Sequence, residues 1–145
     1  VPVMRDGTQW RPFIHVKDTS RAFIEVVEGE KEKVGGEIFN VGADEQNYQI
    51  RSLVEILDEA LPVKFEVDWY GDPDRRSYRV SFQKIKKTLN FEPKHTLMEG
   101  AREVYDALAK GTVTDSMKTR TVEWYKYLLN TQTFMKDLLI KETVL

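Results

Sequence analysis

The stretches of this chain that read as strands are short, and each is cut off from the next by a helix or a polar loop. Pro12 to Val16 reads as a brief strand and "EIFNVG", Glu37 to Gly42, as a buried one. "VKFEVDW" alternates, with Val63, Phe65, Val67 and Trp69 on one face, as a half-covered strand does. Three or four such strands make a poor sheet by themselves, because their edges stay open to other chains. The pattern predicts an α/β fold, a few short strands mixed with about five helices, that is part of something larger.

The helices carry their own punctuation. Asp18 sits where an N-cap belongs, before a helix to about Glu28 whose apolar positions include Ala22, Ile24, Val26 and Val27. "IRSLVEILDEAL" places Ile50, Leu53, Val54, Leu57 and Leu61 on one side and stops at Pro62. Ser81 reads as the cap of "FQKIKKTLN". Thr96-Leu97-Met98-Glu99 has the form of a capping box, and its helix should reach about Lys110 with Gly111 as the stop. A last helix begins near Thr121, with Val122, Tyr125, Leu128 and Leu129 expected to face inward. No internal repeat or domain boundary stands out.

At 145 residues, 41% hydrophobic and 32% charged, the chain can bury an ordinary core. A net charge of −2 argues against a nucleic-acid partner, and no apolar run approaches a membrane span. With no cysteine there is no disulfide or thiolate metal site, which is compatible with a cytoplasmic location, and His15 and His95 alone make no histidine-rich metal site. His15 reads as a structural histidine within its strand.

No self-contained active site emerges. No Gly-x-Gly-x-x-Gly or Walker-type loop is present, no tyrosine is followed four residues later by a lysine, and neither Gly-x-Ser-x-Gly nor His-x-x-x-His occurs. What the chain does offer is arginine beside loops: Arg11 before a strand, and Arg75, Arg76 and Arg79 near Asp72 and Asp74. Guanidinium forks match phosphate oxygens. By spacing alone, Arg75 and Arg79 read rather as surface partners of nearby carboxylates in a solvated loop.

Taken in order, these pieces resemble a family. "GTQWRPFIHVKD" resembles the segment that opens the second half of the extended short-chain dehydrogenases/reductases, the NAD-dependent nucleotide-sugar epimerases and dehydratases. "GEIFNVG", the Asp74–Pro93 segment "DRRSYRVSFQKIKKTLNFEP" and "TLMEGARE" resemble the segments that follow there. The resemblance covers roughly Gly7 to Glu103. It implies that residues 1–145 are a C-terminal substrate-binding portion of an extended Rossmann-type fold, the NAD-binding portion being absent from this chain. In that family a tyrosine acts as base on a sugar hydroxyl while hydride passes to the nicotinamide, and those groups belong to the other half. The resemblance thus implies no catalytic, cofactor-binding or metal residue here, and an inactive fragment of an active parent.

It implies a nucleotide-sugar as partner, NAD or NADP in the full-length protein, no cofactor for this chain alone, and a homo-oligomer only at full length. Arg11 matches the family arginine on the diphosphate. Where relatives carry Arg-Pro-Gly-Asp this chain has Trp69-Tyr70-Gly71-Asp72, so Asp72 keeps the aspartate that meets a hydroxyl while the arginine is missing. Arg76 is expected to supply that charge. Two alternatives stay open: a reductase or decarboxylase of a similar sugar, and a non-catalytic nucleotide-binding or interaction module on the same scaffold.

Overall fold

The structure, a computed structural model, describes residues 1–140, 143 and 144. The chain divides into two compact units, Val1–Tyr105 and Asp106–Leu145, a division that no shift in composition marks. The first unit runs through β1 (Pro2–Met4), β2 (Trp10–Pro12), α1 (Val16–Glu28), the short α2 (Lys31–Val34), β3 (Asn47–Gln49), α3 (Ile50–Ala60), β4 (Asp68–Tyr70) and α4 (Gln83–Leu89), and α5 (Leu97–Ala109) begins in it. The class is the expected mixed α/β.

The strands are shorter still than expected. β1 and β4 pair in parallel, with Val3 opposite Trp69, and β2 and β3 pair antiparallel, with Arg11 opposite Tyr48. Only the end of Val63 to Trp69 therefore joins a ladder, and the strand expected at Pro12 to Val16 ends at Pro12, whose missing N–H suits it to a strand end. The turn between β1 and β2 depends on Gly7. Its φ is +74°, and a Cβ there would stand 2.8 Å from the Trp69 ring.

"EIFNVG" is not a strand. A strand needs a neighbour that offers backbone groups, and no described segment pairs with it. Phe39 and Val41 pack instead against a small core of Ala22, Phe82, Ile85 and Phe91, while Ile38 stands 83% exposed. Ala22 thus meets the core as expected of α1, but Ile24 and Val27 do not. α3 follows the sequence closely: Ile50, Leu53, Val54 and Leu57 face Val3 and Phe65 across a cavity of about 340 Å³.

Two caps differ from expectation. α1 begins at Val16, so its N-cap is His15, whose Nδ1 accepts the Lys17 N–H at 3.2 Å, and Asp18 lies inside the first turn. α4 is started by Asp44 more than by Ser81. The Asp44 carboxylate accepts the Phe82 amide at 2.7 Å and the Gln83 side chain at 2.8 Å, whereas Ser81 Oγ is 3.5 Å from the Gln83 nitrogen. Asn90 ends α4 in the left-handed region, which its short side chain tolerates. The capping box of α5 forms as expected: Glu99 accepts the Thr96 amide at 2.7 Å and Thr96 Oγ1 accepts the Glu99 amide at 3.2 Å.

The second unit contains α6 (Thr121–Asp137) and a two-residue antiparallel pair, β5 (Leu139–Ile140) and β6 (Thr143–Val144). α6 starts where the sequence places it, but Val122, Tyr125, Leu128 and Leu129 are all exposed rather than inward-facing. Trp124 stacks on Tyr127 one turn away, with ring centroids 5.4 Å apart. Among the described residues, no helix is long and apolar enough to cross a membrane.

Candidate functional site

Arg11 leaves β2 half-buried, and its environment comes from the Asp74–Arg79 loop. That loop lies along β2: Ser77 Oγ accepts the Trp10 amide at 3.0 Å, and the Tyr78 amide donates to the Trp10 carbonyl at 3.3 Å. Arg11 Nη2 then reaches Asp74 at 2.9 Å, Nη1 donates to the Trp10 carbonyl at 2.7 Å, and the guanidinium lies 5.0 Å from the Tyr78 ring centre. This position holds the fork by three kinds of contact at once.

Arg76 meets the same carboxylate. Its Nε and Nη2 donate to the two Asp74 oxygens at 2.9 and 3.1 Å, and its amide donates to Oδ1 at 3.0 Å in an Asx turn. Two guanidinium groups thus share one carboxylate, and the patch keeps a net positive charge. The Arg76 fork and amide, with the field of Arg11 added, hold Asp74 at a pKa of about 2. Arg76 itself is 80% exposed and open to solvent. Asp72 lies exposed two residues upstream of Asp74, with no partner among the described residues.

The sequence singled out Arg11, Asp72 and Arg76, and the structure joins the two arginines through Asp74, which the sequence reading gave no role. The signal for it was the Asp-x-Arg spacing of an Asx turn, too common to stand out. Arg75 and Arg79 do not make the surface ion pairs that spacing alone offered them: among the described residues no carboxylate comes within salt-bridge distance of either, and Arg79 lies over the Trp10 ring at 4.6 Å.

The second organised carboxylate is Asp18, which is fully buried. It accepts the amides of Lys94 and His95 at 3.0 and 2.9 Å, faces His95 Nδ1 at 3.1 Å and receives Arg21 at 3.2 Å. Burial opposes its charge, but the two amides, the imidazole and the guanidinium outweigh it and hold the pKa at about 2. His95 stacks on His15, centroids 4.5 Å apart, and His15 Nε2 faces Glu103 at 3.2 Å. No described group of three or more side chains is placed to hold a metal ion.

Comparison with known proteins bears on this arrangement. Residues 1–42 match the model of the NAD dependent epimerase/dehydratase family. The UDP-glucuronate 4-epimerase of Thermodesulfobacterium geofontis is 28% identical over 70% of this chain and 31% of its own length. The dTDP-glucose 4,6-dehydratase 1 of Escherichia coli is 28% identical over 86% of this chain and 32% of its own length. The chain therefore spans about a third of the length of these curated relatives. The crystal structure of UDP-glucose 4-epimerase with UDP-glucose from Thermotoga maritima superposes with a TM-score of 0.63 at 26% identity, over 78% of this chain and 36% of that one. By family model, curated relatives and fold together, the chain is similar to part of the NAD-dependent epimerases and dehydratases.

Proposed function

We propose that this chain is the nucleotide-sugar-binding part of an NAD-dependent nucleotide-sugar epimerase or dehydratase, and that Arg11 and Arg76 take the diphosphate while Asp72 meets a hydroxyl. The observation that carries the reading is the convergence on Asp74 of Arg76, its near neighbour in sequence, and Arg11, 63 residues away. A carboxylate holding two forks keeps them ordered before the ligand arrives, so less side-chain entropy is lost on binding. Two oxygens of a diphosphate can accept a guanidinium fork as the two oxygens of the carboxylate do, with more negative charge, and Arg76 is exposed enough to turn toward them.

In this reading NAD, held by residues outside this chain, supplies hydride chemistry. The work of this chain is to bind and orient the sugar nucleotide. The relatives named above act on UDP- and dTDP-sugars, which makes UDP-glucose and dTDP-glucose the probes of choice. In the full-length enzyme, Arg11→Ala should weaken binding of whichever probe the wild type takes by about thirtyfold, as for a lost charge-assisted hydrogen bond. Arg76→Ala should weaken it less, by about fivefold, because its side chain is exposed. NAD binding should be unchanged in both. Wild-type affinity for the sugar nucleotide in both variants overturns the assignment.

A further inference from the structure

A cavity of about 310 Å³ opens between the β2–β3 ribbon and the first turns of α1 and α5. Its walls are mostly apolar. Phe13 and Tyr48 meet edge to face with centroids 6.3 Å apart, and Leu97, Ala101 and Val104 line one face of α5 at helical spacing. The volume is about twice the ~150 Å³ that holds a benzene ring and lies at the small end of organic-ligand sites.

The charged groups nearby are already engaged. Glu103 accepts from Lys17, Glu99 closes the capping box and Asp18 is saturated by its four donors. The Asp18 carboxylate at 3.1 Å requires the proton of neutral His95 on Nδ1, which leaves Nε2 a bare acceptor with no partner among the described residues. The ring cannot turn away, because its own backbone amide is tied to Asp18 and its face is stacked on His15 at an interplanar angle of 20°. Gly100 permits that stack, since a Cβ there would press to 3.2 Å of His15 Cδ2. The Tyr48 hydroxyl also has no described partner.

We propose that this cavity binds a neutral, planar aromatic small molecule carrying one hydrogen-bond donor, which His95 accepts through Nε2 while Asp18 fixes the orientation of the ring. An anion would meet the acceptor edge of the imidazole, and a cation would find no free carboxylate. Arg11, Asp72 and Arg76 take no part, so the site stands independently of the nucleotide-sugar reading.

Phenol is the probe, and toluene, which lacks the donor, is its control, both titrated into the intact protein labelled with ¹⁵N-histidine at neutral pH. Phenol should shift the His95 Nε2 resonance and bind about tenfold more tightly than toluene, the worth of one hydrogen bond. His95→Phe should bring phenol down to the level of toluene. Because that variant also removes a partner of Asp18, Ala101→Phe is the second one: it fills the cavity from α5, leaves His95 in place and should abolish binding of both probes. Equal affinity for phenol and toluene, an unmoved His95 resonance, or no saturable binding overturns the proposal.

Discussion

Asp18 and Asp74 are both held at a pKa of about 2, and their surroundings could hardly differ more. Asp18 is sealed in the interior, and two of its donors are the successive backbone amides of Lys94 and His95. Asp74 draws mainly on guanidinium groups at the ends of flexible side chains, one of them 80% exposed. Backbone donors cannot leave, whereas side-chain donors can be handed to an incoming anion. The same degree of charge stabilisation therefore serves two ends: Asp18 is a latch that ties α1 to the entry of α5, and Asp74 is a holder that keeps two cations ready.

The comparison is sharpest in the latch. Asp18→Asn keeps the shape but places an amide N–H₂ where donors already point, leaving buried groups opposed. We expect a loss of about 3 kcal/mol in chemical denaturation, with the Lys94 and His95 amides losing their protection from hydrogen exchange first. A variant as stable as wild type would make Asp18 an incidental passenger.

Acid tests both carboxylates at once. A depressed folded-state pKa means that the stabilisation is complete above the unfolded value, near ~4, and is lost as pH falls through about 2. Stability should therefore decline between ~pH 4 and ~2. Asp18→Asn should lessen that decline, leaving the slope of Asp74 and of other lowered carboxylates such as Asp44 and Glu99. An unchanged slope in that variant would place the acid sensitivity elsewhere. Smaller still is Thr96→Ala, which removes one side of the capping box beside the latch and should cost about 1 kcal/mol, read as a shift of the denaturation midpoint.

Local chemistry was legible in the sequence, and distant pairing was not. The capping box at Thr96–Glu99 and the face of α3 depend on residues three and four apart, so the chain displays them directly. An aspartate before an apolar helix looks the same whether it caps that helix or reaches for amides 76 and 77 residues away, and only the second is true of Asp18. "EIFNVG" has strand composition but, among the described residues, no strand beside it, and pairing belongs to two segments rather than one. Arg11 and Arg76 could be chosen by residue type and resemblance. Their common partner could not, because 63 residues separate Arg11 from Asp74.

The smallest effect decides whether Asp74 is a holder at all. Asp74→Asn should lower the denaturation midpoint by less than Thr96→Ala does, since its guanidinium partners regain water where the Asp18 amides cannot. What should change is order: in Arg-labelled spectra, the Nη2 signal of Arg11 and the Nε signal of Arg76 should lose their protection from exchange with water as the side chains are released. If the midpoint fell as far as it does in Asp18→Asn, Asp74 would be a second latch, and the arginines would be fixed parts of the fold rather than groups free to turn to a ligand. If the midpoint held but the Arg11 signal did not change, the ordering of Arg11 would come from the Trp10 carbonyl and the Tyr78 ring instead, and the role of holder would pass from the carboxylate to those two groups.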